Sequence, residues 1–144
     1  MSAHETRETV EAYLEALRAR GDYGRFFADE VRLDVMGTDQ QARGAEAVEQ
    51  LIRFLHEQAF DAQPELLGLL ADERSAAVEA VFAGIHTGEF AGVPASGNAV
   101  RVPYSVFYDV DAGRITALRI YMAMDELLGQ VRGERTAQVA DAAV

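Results

Sequence analysis

The chain has no cysteine, no lysine and no tryptophan. Each gap removes a class of chemistry. Without cysteine there is no disulfide, no thiolate nucleophile and no thiolate metal site. Without lysine no side chain can form a Schiff base, and all 13 basic residues are arginine. The three histidines, His4, His56 and His86, are scattered, with no H-E-x-x-H pair, so no metal is expected. No G-x-G-x-x-G follows a strand and no G-x-S-x-G is present, which sets aside a dinucleotide site and a serine-hydrolase elbow. No cofactor is expected. Long apolar runs are missing and the N-terminal MSAHETRET is polar, so neither a signal peptide nor a membrane span is expected. The cytoplasm is the default location.

What is present is acidic and globular. The formal net charge of −11 argues against nucleic acid or an anionic membrane as partner. With 144 residues, 49% of them hydrophobic, the chain can bury a core. One domain is expected over residues 1–132, followed by a flexible Ala-rich tail over 133–144.

Periodicity predicts the elements. Val10, Tyr13, Leu14 and Leu17 form one stripe of a helix over residues 6–19, stopped by Gly21. A short helix is expected over 23–28, then a strand over 31–36 in which Val31, Leu33 and Val35 alternate with Arg32, Asp34 and Met36. Residues 37–44 read as a polar loop, and 45–58 as a helix with Val48, Leu51, Ile52 and Leu55 on its buried face. Strands follow over 63–70, 76–86, 100–110 and 115–122, with a last helix over 125–131. The turn Asp111-Ala112-Gly113-Arg114 between apolar runs reads as a β-hairpin. Segregated helices and strands argue for an α+β fold. Val102, Tyr104, Val106 and Tyr108 share one face of their strand; Pro103, Ser105 and Phe107 share the other. Neither face is strongly polar, so one is expected to meet the helices and the other a second subunit, giving a homodimer.

The wording of two stretches carries a resemblance. Residues 82–122, FAGIHTGEFAGVPASGNAVRVPYSVFYDVDAGRITALRIYM, resemble the C-terminal half of the SnoaL-like polyketide cyclases, within the NTF2-like superfamily. VEAYLEALRARGDYGRFFADEVRLDVMG looks like the opening of ketosteroid isomerases and their NTF2-like relatives. The likeness spans roughly residues 6–132. It implies a cone in which a curved, mostly antiparallel sheet wraps around N-terminal helices and encloses a pocket for a small apolar molecule.

The resemblance also names candidates. Tyr13 falls where the isomerases place a tyrosine that donates to a substrate oxyanion, a role a phenol can fill while protonated. Asp34 lies in the strand that carries the isomerase aspartate. Counted back from Gly37 it occupies that position; counted forward from Asp29 and Glu30, Val35 does. The alternation around Asp34 points its side chain away from the core. Asp61, after the third helix, is spaced from Asp34 much as the two acids of polyether epoxide hydrolases are, with Glu65 as a substitute. Such a pair would divide the work, one acid protonating an epoxide oxygen and the other accepting a proton. His86, in I-H-T-G-E-F, matches the H-x-G-x-F element whose histidine lines the pocket in the cyclases, while an ordinary hydrogen-bonded core histidine remains open. Phe54, Ser105, Phe107 and Met122 are the expected pocket wall.

Departures matter equally. Where the family places an acid in the strand PYSVFY this chain has Ser105, and Arg119-Ile120-Tyr121-Met122-Ala123 lacks the final acid of R-x-Y-x-D. The expectation is therefore a cofactor-independent acid–base enzyme of secondary metabolism acting on an apolar polyketide or terpenoid. It would open an epoxide, with cyclisation or hydrolysis, or close a ring through an enolate. The alternatives are a non-catalytic binding or dimerisation module, and a ketosteroid-isomerase-like enzyme.

Overall fold

In the computed structural model, which describes residues 1–137, α1 (Ala3–Arg18) begins earlier than its apolar stripe does. Ser2 and Glu5 form a capping box: the Ser2 hydroxyl accepts the Glu5 N–H at 3.1 Å, and the Glu5 carboxylate accepts the Ser2 N–H at 2.9 Å. The stripe Val10, Tyr13, Leu14 and Leu17 is buried as expected. At the other end, Arg20 N–H donates to the Leu17 carbonyl and Gly21 N–H to the Ala16 carbonyl, a Schellman arrangement. The left-handed residue is Arg20, at φ 54°, and not its neighbour Gly21. A side chain in that conformation costs about 1 kcal/mol more than glycine.

The short helix expected over 23–28 is a single 3₁₀ turn, Tyr23–Phe26, because Phe27 already pairs with Ile115 and opens β1 (Phe27–Val35). The expected loop over 37–44 contains β2 (Gln41–Arg43), three residues with no apolar pattern to announce them, paired to β1 through Asp34 and Gln41. Helix α2 (Ala45–Arg53) runs into a π-helical turn, Phe54–Gln58, and the two together cover the expected helix. Then come β3 (Phe60–Ala71), β4 (Ser75–His86), β5 (Ala99–Asp111), β6 (Arg114–Met122) and α3 (Met124–Val131). Ala112 and Gly113, at φ 50° and 76°, make the primed hairpin turn between β5 and β6.

The six strands form one sheet in the order β2-β1-β6-β5-β4-β3. All neighbours are antiparallel except β1 and β6, which run parallel. The fold is α+β, with a mixed, open sheet curved at its bulges between Leu66 and Gly68 and between Asp109 and Val110. Alternation sorts its faces. Leu33, Val78, Val106 and Tyr108 point inward against α1 and α2 as one core cluster. Phe60, Phe82, Val100 and Val102 form a second cluster at the far end, closed by Leu127 and Val131 of α3. Among the described residues no helix is long and apolar enough to cross a membrane. Of the tail expected over 133–144, Glu134 and Arg135 fold back so that their N–H groups donate to the Gly129 carbonyl at 2.8 and 3.0 Å. Residues 138–144 lie outside the described residues.

Gly84 of β4 pairs with Ala62 of β3. A Cβ there would overlap the Asp61 carbonyl oxygen and approach Ala62 Cα to 2.5 Å, whereas a Cβ on Gly68 meets nothing within 4 Å. Gly84→Ala is expected to lower the unfolding free energy by about 3 kcal/mol, against less than about 0.5 kcal/mol for Gly68→Ala, in parallel urea titrations.

Candidate functional site

The helices are shorter than the strands they cover, and a cavity of about 90 Å³ is left between the two core clusters. Leu55 from the π turn, Phe82 from β4, Ile120 and Met122 from β6, and Met124 and Leu127 around α3 make its apolar wall, with Val35 and Phe90 completing it. Three polar side chains reach it: Gln40, His56 and Tyr104. None of the acids among the described residues does.

His56 sits on the π-helical turn. Its Nδ1 lies 3.2 Å from the Ala62 carbonyl oxygen. A carbonyl can only accept, so Nδ1 carries the proton and Nε2 keeps its lone pair. The ring stands edge-on to Phe82, at 5.3 Å between centroids. Burial disfavours the imidazolium and pulls the pKa down to about 4; the nearby Arg20 charge acts the same way, and the Ala62 hydrogen bond opposes both. Across the cavity, Tyr104 flanks the same Phe82 ring at 6.3 Å. Burial raises its phenol well above the ordinary tyrosine value, so it stays protonated and can donate. The cavity lining thus includes one imidazole nitrogen able to accept, one phenol able to donate and the Gln40 amide, among apolar side chains.

The residues singled out from the sequence are dispersed. Asp34 alternates with buried Leu33 and Val35 and lies on the outer face, 3.0 Å from Arg32 Nη2 and paired across the ladder with Arg119. Of the two registers open in the sequence, the cavity position is held by Val35. Asp61 is exposed at the start of β3 and ion-paired with Arg20; Glu65 binds Arg101 through two oxygens at 2.6 and 2.8 Å. The structure does not bring Asp34 and Asp61 together. Tyr13 is packed in the main core, ringed by Tyr23, Phe27 and Tyr108, and burial raises its pKa well above the usual value. His86 is fully buried beside Phe60. Its Nδ1 accepts the Ser96 N–H at 3.1 Å and lies 2.8 Å from the Ser96 hydroxyl, so the ring anchors the loop before β5 and its Nε2 proton is without a partner.

Met122 lines the cavity. Phe54 is half-buried and packs against the second cluster instead. Ser105 and Phe107 are on the opposite face of β5 from the cavity, because Tyr104 and Val106 take the inward positions; Phe107 meets Tyr121 there, edge-on at 5.9 Å. Neither His56 nor Tyr104 is placed at the site by the sequence reading. Both had a signal: Tyr104 belongs to the inward set of β5, and His56 falls four residues after buried Ile52. Among the described residues no group of three or more acids and histidines could hold a metal ion.

The profile of the SnoaL-like polyketide cyclase family matches residues 7–131. No curated protein matches the sequence. Among solved structures, a candidate polyketide cyclase from Xanthomonas campestris pv. campestris is similar at 22% identity, with 90% of this chain and 98% of that one covered and a TM-score of 0.80. An LEH-like epoxide hydrolase from M. tuberculosis is 22% identical, with 91% and 92% covered and a TM-score of 0.72. A candidate ketosteroid isomerase from Kribbella flavida is 23% identical, with 83% and 78% covered and a TM-score of 0.65. At these identities the likeness is one of fold.

The desolvated, half-buried imidazole of His56 has a consequence for stability. Its folded pKa, about 4, lies below the value near 6.5 of an unfolded histidine. As pH falls from 6.5 toward 4 the unfolded chain takes up a proton that the folded chain refuses, so this contribution is complete above pH 6.5 and lost on the way to 4. Because the residue is only half-buried, the loss between pH 7 and 4.5 is expected at about 2 kcal/mol. Urea unfolding of wild type and His56→Gln at both pH values measures it as the difference between the two pH responses. Identical responses would refute it.

Proposed function

The chain belongs to the SnoaL-like polyketide cyclase family, and on that footing we propose that it binds a small, uncharged, largely apolar carbonyl compound of polyketide or terpenoid type beside His56 and Tyr104. His56 Nε2 takes a proton from the carbon next to the carbonyl, and the Tyr104 hydroxyl donates to the oxygen as it gains negative charge. The enolate so formed is the species from which a ring closes or a double bond moves. One observation carries this reading: the hydrogen bond from His56 Nδ1 to the Ala62 carbonyl, which leaves a bare imidazole nitrogen at an apolar cavity.

A base with a pKa of about 4 is weak, but it is fully unprotonated at neutral pH. An aspartate of pKa about 4.6 serves as general base in ketosteroid isomerase when an oxyanion hole shares the load. Epoxide opening by two acids draws no support here, since Asp34 and Asp61 lie apart and outside the cavity. The cavity is smaller than the roughly 300 Å³ usual for a ligand site, so Met122 and Met124, both unbranched and adaptable, are the side chains that yield to a larger guest. The lack of a cavity acid keeps a second reading in view, a binding module that catalyses nothing.

Turnover of enolisable ketones and of epoxides by the purified protein separates these readings. His56→Gln is expected to lower kcat by at least about 100-fold and Tyr104→Phe by about 10- to 100-fold. Asp34→Asn should change it less than about twofold, as befits a surface position. Loss of activity in Asp34→Asn with His56→Gln intact would overturn the assignment. Binding by wild type with no turnover of either class would favour the module.

The outer sheet face is the proposed contact with a second copy. Leu67 and Leu70 are 61% and 76% exposed, and Phe107 and Tyr121 continue the apolar surface. Two of its charge pairs are formed within the chain, Arg119 with Asp109 and Arg101 with Glu65, which lowers the penalty of covering those four groups, while Glu79 is exposed on the same face with no ion pair among the described residues. Sedimentation velocity should find a dimer for wild type and a monomer for the double variant Leu70→Glu, Phe107→Glu; a monomeric wild type would end the proposal.

A further inference from the structure

The bare Nε2 of His56 depends on a short gap, the one between the π-helical turn and the start of β3. Two sets of contacts span it. At the end of the turn, the Thr87 and Gly88 N–H groups both donate to the Ala59 carbonyl, at 2.9 and 3.0 Å, and the Thr87 hydroxyl donates to the Gln58 carbonyl at 3.3 Å. Gly88 can come this close because a Cβ on it would overlap the Gln58 carbonyl oxygen. These contacts hold the last residues of the turn. They leave the backbone of residue 56 itself to another group.

That group is Arg20. Its Nη2 donates to the His56 carbonyl at 3.2 Å and forms an ion pair with the Asp61 carboxylate. Asp61 adjoins Ala62, whose carbonyl accepts the His56 Nδ1 proton. The guanidinium therefore ties together the two backbone segments whose spacing decides whether that hydrogen bond forms. Its position in the chain supports the same conclusion. Arg20 occupies the left-handed site after α1 at φ 54°, where glycine is favoured, although a glycine stands next to it. Helix termination alone would be served better by glycine.

We propose that Arg20 is a positioning residue for His56, bridging the His56 carbonyl and the Asp61 carboxylate so that Nδ1 keeps its proton on the Ala62 carbonyl and Nε2 faces the cavity unprotonated. The proposal rests on His56 being the working group of the site. It gives Asp61 a place as the anchor of Arg20. The charged and titratable groups around the ring are Arg20 from the end of α1, Asp61 from β3 and Tyr104 from β5. On the same turn Glu57 is held by Arg53 at 2.9 Å.

The test reads the tautomer directly. Long-range ¹H–¹⁵N spectra of imidazole-labelled protein resolve only three histidines, and His56→Gln assigns the signal. Wild type is expected to favour the Nδ1–H form by about tenfold, the ratio one such hydrogen bond sustains, and Arg20→Gly to reduce that preference at least about threefold. Arg20→Gly should melt no lower than wild type, because glycine relieves the left-handed backbone. A merely structural arginine would show the reverse, a lower melting point with the tautomer unchanged, and that result overturns the proposal. Asp61→Asn keeps the backbone untouched and should shift the tautomer part of the way; an unchanged tautomer in both variants also overturns it. The outcome is independent of the function assigned above. A shifted tautomer supports Arg20 as the positioning residue even where His56→Gln leaves turnover intact, a result that would refute only the proposed chemistry.

Discussion

A strand rises about 3.3 Å per residue and a helix about 1.5 Å, and that mismatch governs how this sheet is covered. β5 has 13 residues and α1 has 16, which makes the strand about 43 Å long and the helix about 24 Å. Two N-terminal helices cannot shield such an inner face from end to end. The chain answers with a second, smaller cover at the far end, built from α3 and the segment between β4 and β5. The cavity lies at the seam between the two covers. Its position thus follows from lengths and curvature before any functional side chain is considered.

Charge distribution follows from the same division. With 24 acids against 13 arginines, every carboxylate placed inside would need a partner there, since an unpaired buried charge is far costlier than an exposed one. Asp34, Asp61, Glu65 and Asp109 all lie on the outer face or rim and each meets an arginine. The inner groups are those that can stay neutral, the imidazole of His56 and the phenols of Tyr13, Tyr104 and Tyr108. An apolar seam selects against a carboxylate and tolerates an imidazole whose proton is held by a backbone carbonyl. The same desolvation that weakens His56 as a base keeps it unprotonated.

Most of the architecture was legible because it is periodic. The stripe of α1, the alternation of β4 and β5, and the Asp111–Arg114 turn each carry their own signal, and the structure agrees within a few residues. Alternation also pointed Asp34 away from the core, against what the family resemblance implied; for β5 it separated Ser105 and Phe107 from Tyr104 and Val106 without telling which face was the inner one, and the pocket expected at Ser105 and Phe107 fell on the wrong face. Several features were not legible. β2 is only three residues, Gln41-Ala42-Arg43, too short to carry a period of its own, and it is held by pairing with Arg32, Leu33 and Asp34 of β1. The left-handed residue after α1 fell on Arg20 in spite of the adjacent glycine. The π turn gave no local warning either, since α2 and the turn share one helical pattern and the difference is made by partners at residues 20, 87 and 88, distant in sequence. Sequence periodicity reports which face a residue is on; it does not report the one extra residue in a turn that re-aims a side chain.

A segment that carries the family resemblance works in the same way. In Ile85-His86-Thr87-Gly88, the histidine holds the loop before β5 through Ser96, and the next two residues hold the end of the π turn. Its glycine leaves room for the Gln58 carbonyl oxygen, which a Cβ there would overlap. In this chain the motif's residues organise backbone, and the chemistry open to the cavity depends on which side chains that backbone presents. The polar side chains presented to the cavity are Gln40, His56 and Tyr104, with no acid there among the described residues. Fold and motif establish where a ligand could sit, and in the proposed chemistry the hydrogen-bond partner of a single ring nitrogen decides which proton can move there.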